Sequence, residues 1–364
     1  MIETDITKMF GIKHPIFSAP MGPFFTRDLA LAVSEAGGLG VLSNVNIAGT
    51  DPVKEHKAGL EYMIEYTDRP FGLNILTSRN NPGVKQMARN LPKIVMRNVR
   101  MRDQCKYWLT SAGSSRFLPQ SKYFKELREN SEIKHFHVAP AVWLAQKCVD
   151  SGVDGIVVTG TEGGGHQSFE RVTSLVLLQQ INKLFPDLPK IACGGFATGE
   201  SLAAALSLGA GAIAMGTRFI ASKQSEFHEN YKALIPPGKP QDTGLFTGSF
   251  GPIRLYKNEY ALAHPAPASK EEMFAHEASI TPEQQLKDLS SYDRVYKGDT
   301  KTGAVLLGQS IGIIENIEDV NDIIKSIIKD AENVIRKKSE RTGRLPESRS
   351  EAQTAGYGIS CKRR

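Results

Sequence analysis

Short apolar runs recur along the N-terminal two thirds of the chain, most of them separated by a stretch with helical spacing of apolar residues. Eight runs, at residues 15–21, 38–43, 71–76, 106–113, 134–140, 155–160, 190–195 and 212–217, read as strands. Residues 27–36, 52–66, 84–102, 121–130, 140–151, 172–184 and 200–208 read as amphipathic helices. In the last of these Leu202, Ala203, Ala205 and Leu206 crowd one short segment at helical spacing. Strand and helix in alternation imply a parallel sheet with right-handed crossovers. Eight strands without polar alternation point to an α/β fold of the (β/α)8 TIM-barrel type rather than an open sheet.

Two stretches break the rhythm. Residues 79–105 carry seven basic residues and are expected to form one long helix or a helix pair with a solvated face. Residues 238–300 mix Gly, Pro and aromatics irregularly, which suits a lid or binding segment better than a core element. Within it Phe246, Phe250 or Tyr256 is expected to border a substrate space at the barrel mouth. The chain then returns to a glycine-rich apolar run at 303–314 and a closing amphipathic helix at 320–336. The expected organisation is a barrel formed by residues 1–237 and 301–336, a lid and substrate segment at 238–300, and a basic, disordered tail at 337–364.

Composition narrows the class. The chain has 364 residues, 40% hydrophobic and 23% charged, which is ordinary for a soluble globular protein with a large core. The net charge of +6 is mild and much of it lies in the tail, so a solvated end is favoured over a nucleic-acid partner. Four cysteines show no paired spacing; Cys148 and Cys193 sit among apolar residues as small buried hydrophobes. The first residues lack a signal-peptide pattern and no run of 18 apolar residues occurs, so the expectation is a cytoplasmic protein with no membrane segment.

The strand ends carry the chemistry. Pro20, Met21, Gly22, Asn74, Thr159, Gly160, Gly194, Gly195, Gly216 and Thr217 all fall at C-terminal ends of expected strands, the rim that holds the active site in such barrels. Gly194, Gly195, Met215, Gly216 and Thr217, at ends seven and eight, are placed to offer N–H groups and a hydroxyl to a phosphate. After the sixth strand, Thr159-Gly-Thr-Glu-Gly-Gly-Gly-His166 brings three consecutive glycines up to one histidine. Glycines let backbone approach a bound group closely, and a histidine moves protons near neutral pH. A flexible loop with a solvated histidine is the plainer alternative for this segment taken alone.

Taken in order, these motifs resemble the nitronate monooxygenase family (formerly 2-nitropropane dioxygenases), which includes flavin-dependent enoyl-acyl-carrier-protein reductases of bacteria. The resemblance spans roughly residues 5–235 and weakens through 336. It is carried by Pro15-Ile-Phe-Ser-Ala-Pro-Met-Gly22, Glu35-Ala-Gly-Gly-Leu-Gly-Val41, Phe71-Gly-Leu-Asn74, Thr110-Ser-Ala-Gly113, Gly160-Thr-Glu-Gly-Gly-Gly-His166, Cys193-Gly-Gly195 and Met215-Gly-Thr-Arg-Phe219. The family implies FMN bound non-covalently at the rim. Ala19, Pro20, Met21 and Gly22 would pass under the flavin ring, with Asn74 hydrogen-bonding near it. Thr159, Gly160, Gly164 and Gly165 would line the ring side, and Ala214 and Met215 would flank the phosphate residues Gly194, Gly195, Gly216 and Thr217. His166 would be the active-site histidine. Many relatives carry Gln where this chain has Thr159 and Ala214, and Ala where it has Gly163. No residue set implies a metal.

The resemblance implies oxidation of alkyl nitronates or nitroalkanes with O2, giving a carbonyl compound and nitrite. An alternative on the same scaffold is NAD(P)H-dependent reduction of an enoyl thioester or a quinone, with an acyl carrier protein as partner for the basic stretch 79–106. A non-catalytic flavin-binding protein is a third, less favoured reading. No nucleic-acid partner is expected, and an oligomer remains open.

Overall fold

The computed structural model describes residues 2–43, 45, 50–78, 83–248, 251–266 and 269–341. The eight expected barrel strands are all present. They are β1 (Ile16–Ser18), β2 (Gly40–Leu42), β3 (Phe71–Leu76), β4 (Cys105–Ser111), β5 (Lys134–Ala139), β6 (Gly155–Thr159), β8 (Lys190–Cys193) and β9 (Ala212–Met215). Between the sixth and seventh of these lies a two-residue strand, β7 (Gly165–His166), which belongs to a different sheet.

The barrel strands pair in parallel in the order β1-β9-β8-β6-β5-β4-β3-β2. A parallel bridge between Phe17 and Leu39 joins the two ends, with Ser18 N–H donating to Leu39 O (3.1 Å) and Leu39 N–H to Ile16 O (2.9 Å). The sheet thus closes on itself. β6 shows why these sequences make barrel strands: Val157 points into the barrel interior, while Ile156 and Val158 face the helices. Both faces are buried, so β-branched residues occupy successive positions without polar alternation.

The floor of the barrel is sealed by the first helix, Asp5–Phe10, which Thr4 and Thr7 cap reciprocally. Phe10 packs edge-on against Phe17 and Tyr107, with ring centroids 5.7 and 5.3 Å away. Phe136 completes this aromatic layer, all of it buried. With the floor filled, the interior opens only toward the C-terminal ends of the strands.

The segment 84–102 is a helix pair, Val84–Met96 and Val99–Gln104, because the Asn98 side chain accepts from Met101 N–H and starts a second helix. The segment 238–300 is more regular than its composition suggests. It contains a hairpin, β10 (Thr243–Gly248) and β11 (Gly251–Tyr256), then helices Glu259–Leu262, Lys270–Ser279 and Pro282–Tyr296. The hairpin has a small core of its own: Phe246, Ile253 and Leu255 bury against Ala261 and Ala304. The apolar run 303–314 forms no strand; its described structure is a coil and a short 3-10 helix, Gln309–Ile313. The closing helix runs from Val320 to Arg341, past the expected end, and buries Ile323, Ile324, Ile327, Ile328 and Ala331 in the outer layer. The expected tail from 342 and Phe250 lie outside the described residues. No described helix is long and apolar enough to cross a membrane.

Candidate active site

A cavity of about 1150 Å³ opens at the C-terminal rim of the barrel. Its wall contains Ala19, Pro20, Met21, Gly22, Asn74, Thr159, Gly164, Gly165, His166, Gly194, Gly195, Ala214, Gly216 and Thr217. Two expected site residues do not line it. Met215 follows Ala214 in β9, and strand alternation turns its side chain outward into the helical layer. Gly160 packs against the start of helix Ser174–Leu184, where an added Cβ would sit 2.1 Å from Ser174 N. Its role is to let the loop turn close to that helix.

The glycine loop is held from three sides. Glu162 accepts from Ser174 N–H and Oγ–H, each at 2.9 Å. Gln309 N–H donates to Glu162 O at 2.8 Å, which ties the loop to the returning segment. The third attachment is the hairpin. β11 pairs antiparallel with β7, setting Ile253 opposite His166 and Arg254 opposite Gly165. Gln167 N–H continues the ladder to Pro252 O at 2.7 Å, and the buried Arg254 donates from Nε to Thr161 O at 2.8 Å. The alternative of a free, flexible loop with a solvated histidine is therefore overturned. His166 sits in a ladder, half-buried, with its Nε2 shielded from solvent. Burial pushes its pKa down to about 4, so the imidazole is neutral at neutral pH.

The remaining rim residues are similarly fixed. Asn74 donates from Nδ2 to Ser111 Oγ (3.1 Å) and Leu109 O (3.3 Å), which sets its amide at the cavity wall. Met21 N–H donates to Ser43 Oγ at 2.8 Å. Cys193 reaches the cavity, but burial pushes its thiol up to about 11 despite the Thr159 hydroxyl, so it stays a neutral thiol at neutral pH. Thr217 Oγ accepts from Gly308 N–H at 3.0 Å, which leaves its own proton to donate elsewhere.

A flavin fits this donor set. Gly194 and Gly195 have φ of +89° and +84°, a conformation that glycine adopts without strain. An added Cβ at Gly216 would meet nothing closer than Ala19 at 3.8 Å, so open space lies over that backbone. Gln167 supplies an acceptor in the wall: its Nε2 donates to Gly163 O at 2.7 Å, while its buried Oε1 has no partner among the described residues. Among those residues no group of three or more potential metal ligands occurs.

Sequence reasoning missed Gln167, although it adjoins the histidine. It also missed Leu306, Gly308 and Ser310 of the returning segment, and the outer wall of Arg116, Trp143, Lys147 and Lys270. Of the expected lid aromatics, the two described ones do not border the cavity. Phe246 belongs to the hairpin core and Tyr256 packs on the outer layer, while Met273, Phe274, Leu289 and Tyr292 of the same segment line the cavity. The basic stretch contributes no described residue to the wall; Arg100 pairs with Asp68 and Lys93 covers the Tyr123 ring.

Barrel, glycine loop and buried neutral histidine define a flavin-dependent oxidoreductase. The chain belongs to the nitronate monooxygenase family, whose sequence profile it matches over residues 3–330. It is 26% identical over 365 residues to a protein of Rhodococcus jostii named (3aS,4S,5R,7aS)-5-hydroxy-7a-methyl-1-oxo-octahydro-1H-indene-4-carboxyl-CoA dehydrogenase, covering 91% of this chain and 96% of that protein. A probable nitronate monooxygenase of Staphylococcus saprophyticus is 26% identical over 369 residues, covering 92% and 99%. Among solved structures, FabK from Thermotoga maritima superposes with a TM-score of 0.76 at 30% identity, over 94% of this chain and all of that one.

Proposed function

We propose that the protein is an FMN enzyme that oxidises alkyl nitronates with O2 to a carbonyl compound and nitrite. The observation that carries this reading is His166, neutral, desolvated and held by the β7–β11 ladder in the wall of the cavity. When bound, the flavin supplies the electron chemistry. The chain's own residues do the rest. Gly194, Gly195, Gly216 and the Thr217 hydroxyl hold one phosphate, and the glycine loop after β6 is tied to Ser174, Gln309 and the hairpin rather than open to a pyrophosphate, which favours FMN over FAD. Gln167 Oε1 takes a donor of the bound flavin. A neutral imidazole offers either an N–H to a nitronate oxygen or a lone pair to the α-proton of a neutral nitroalkane.

A second reading, NAD(P)H-dependent reduction of an enoyl thioester, draws support from the cavity volume. About 1150 Å³ exceeds the roughly 300–1,000 Å³ typical of a pocket for one small ligand. Anaerobic mixing separates the two. Bleaching of the flavin by a nitronate alone supports the first reading, and bleaching only by a reduced nicotinamide supports the second. Release of FAD on denaturation, or a colourless protein that takes up no FMN, would overturn both.

A His166→Asn variant probes the histidine. It should retain flavin and fold, while turnover of neutral nitroalkanes falls by about 100-fold or more. Preformed nitronates, which have already lost the α-proton, should suffer much less. Equal losses on both substrates would make the residue a positioning element.

A further inference from the structure

The outer half of the cavity has a character unlike the glycine-lined inner half. Two large aromatic side chains stand exposed there, Trp143 at 49% and Phe274 at 57%. Exposed aromatics of this size at a cavity mouth mark binding surface rather than core. Each carries a lysine over its ring: Lys147 Nζ lies 4.7 Å from the Trp143 centroid, and Lys270 Nζ lies 5.8 Å from that of Phe274. Arg116 adds a third exposed cation to the same wall. Among the described lining residues Glu170 is the one acid. Its carboxylate accepts from Trp143 Nε1 at 2.9 Å and from Ser168, which joins the helix Val142–Asp150 to the loop after β7.

We propose that this mouth is a binding site for an adenosine diphosphate group. The aromatic faces suit a planar base, which stacks sequence-independently on tryptophan and is reinforced by neighbouring cations. Arg116, Lys147 and Lys270 match a diphosphate, for which a planar guanidinium and two point charges are complementary donors. Glu170 retains acceptor capacity for a ribose hydroxyl, the contact a carboxylate makes in other dinucleotide sites. The cavity has room for such a group beside a flavin, by the volume argued above. Two carriers share this chemistry: a reduced nicotinamide dinucleotide and a coenzyme A thioester. The site is argued from the mouth alone, so its failure and the failure of either ring chemistry are separately visible.

The test uses purified flavin-loaded protein with ADP as probe. The chain has two tryptophans, and Trp108 is fully buried, so quenching by ADP that disappears in Trp143→Phe reports the mouth. Calorimetry measures the same binding without an optical signal. The expected result is saturable binding that weakens by about tenfold or more in a Lys147→Ala, Lys270→Ala double variant and again in Arg116→Ala. These side chains are exposed, and the flavin spectrum confirms that the variants remain loaded. Displacement of ADP by NADH, with anaerobic bleaching of the flavin, assigns the site to a dinucleotide. Displacement by coenzyme A without bleaching assigns it to a thioester carrier. Absence of both heat and quenching, wild-type affinity in the charge variants, or displacement by neither compound would overturn the proposal.

Discussion

His166 is the residue on which sequence and structure meet most closely. Its place after three glycines at a strand end was readable, because that spacing is local. Its neutrality was not, since burial comes from the hairpin more than eighty residues later in the chain. The distinction has a measurable form. A base that must be neutral loses activity only as pH approaches its pKa, so kcat/KM for a neutral nitroalkane should stay flat from about pH 8 to 5.5 and fall toward 4. An acid limb near 6.5 would show a solvated ring instead. The glycines separate by the same logic. Ala at Gly216 makes only ordinary van der Waals contacts, 3.8 Å from Ala19 and 3.9 Å from Met21, so the fold should be kept while flavin affinity drops. Ala at Gly160 collides with Ser174 backbone and should destabilise the fold itself. Thermal unfolding and flavin occupancy, measured on both variants, check the contrast; equal flavin loss without any change in melting would contradict it.

At the scale of elements, β7 is two residues long and owes its existence to β11. No sequence window shows such a strand, because its pairing partner and not its own propensity decides it. The helix pair at 84–104 was within reach, since Asn98 is an ordinary capping residue. The run 303–314 could not be assigned an element from its sequence. It reads only as a glycine-rich apolar run, and its course is set by distant partners: Gly303, Gly308 and Gly312 interrupt it, and Gly308 and Gln309 are bound by Thr217 and Glu162. Arg254 is the clasp between hairpin and loop. Arg254→Ala removes charge-assisted bonds to Thr161 and Thr243 from a buried position, at a cost of about 2 kcal/mol. Hydrogen exchange should rise selectively at residues 161–166. A uniform rise across the barrel, or none, would show that the clasp is not local.

For the molecule as a whole, the barrel was legible because eight double-sided apolar runs have few other ways to be buried. The polar groups inside its wall were not. The Thr110 hydroxyl lies 2.8 Å from His135 Nε2 and 2.7 Å from His137 Nδ1, in a cluster that is fully buried. Burial holds His135 well below the usual imidazole range and His137 down to about 4. Between the ordinary value and those depressed ones the unfolded chain binds protons that the folded chain refuses. Stability is therefore complete above about pH 6.5 and is lost as pH falls toward 4, by an amount on the order of 3 kcal/mol for His137 alone. Melting temperatures followed across that range should decline steeply, and less so in His137→Gln. One further consequence follows from the pairing of β7 with the hairpin. A hairpin that shares a sheet with His166 cannot swing away without dragging that residue with it. On the proposed function, ligands are expected to enter past the exposed Phe274 and Trp143 rather than by an opening of the hairpin.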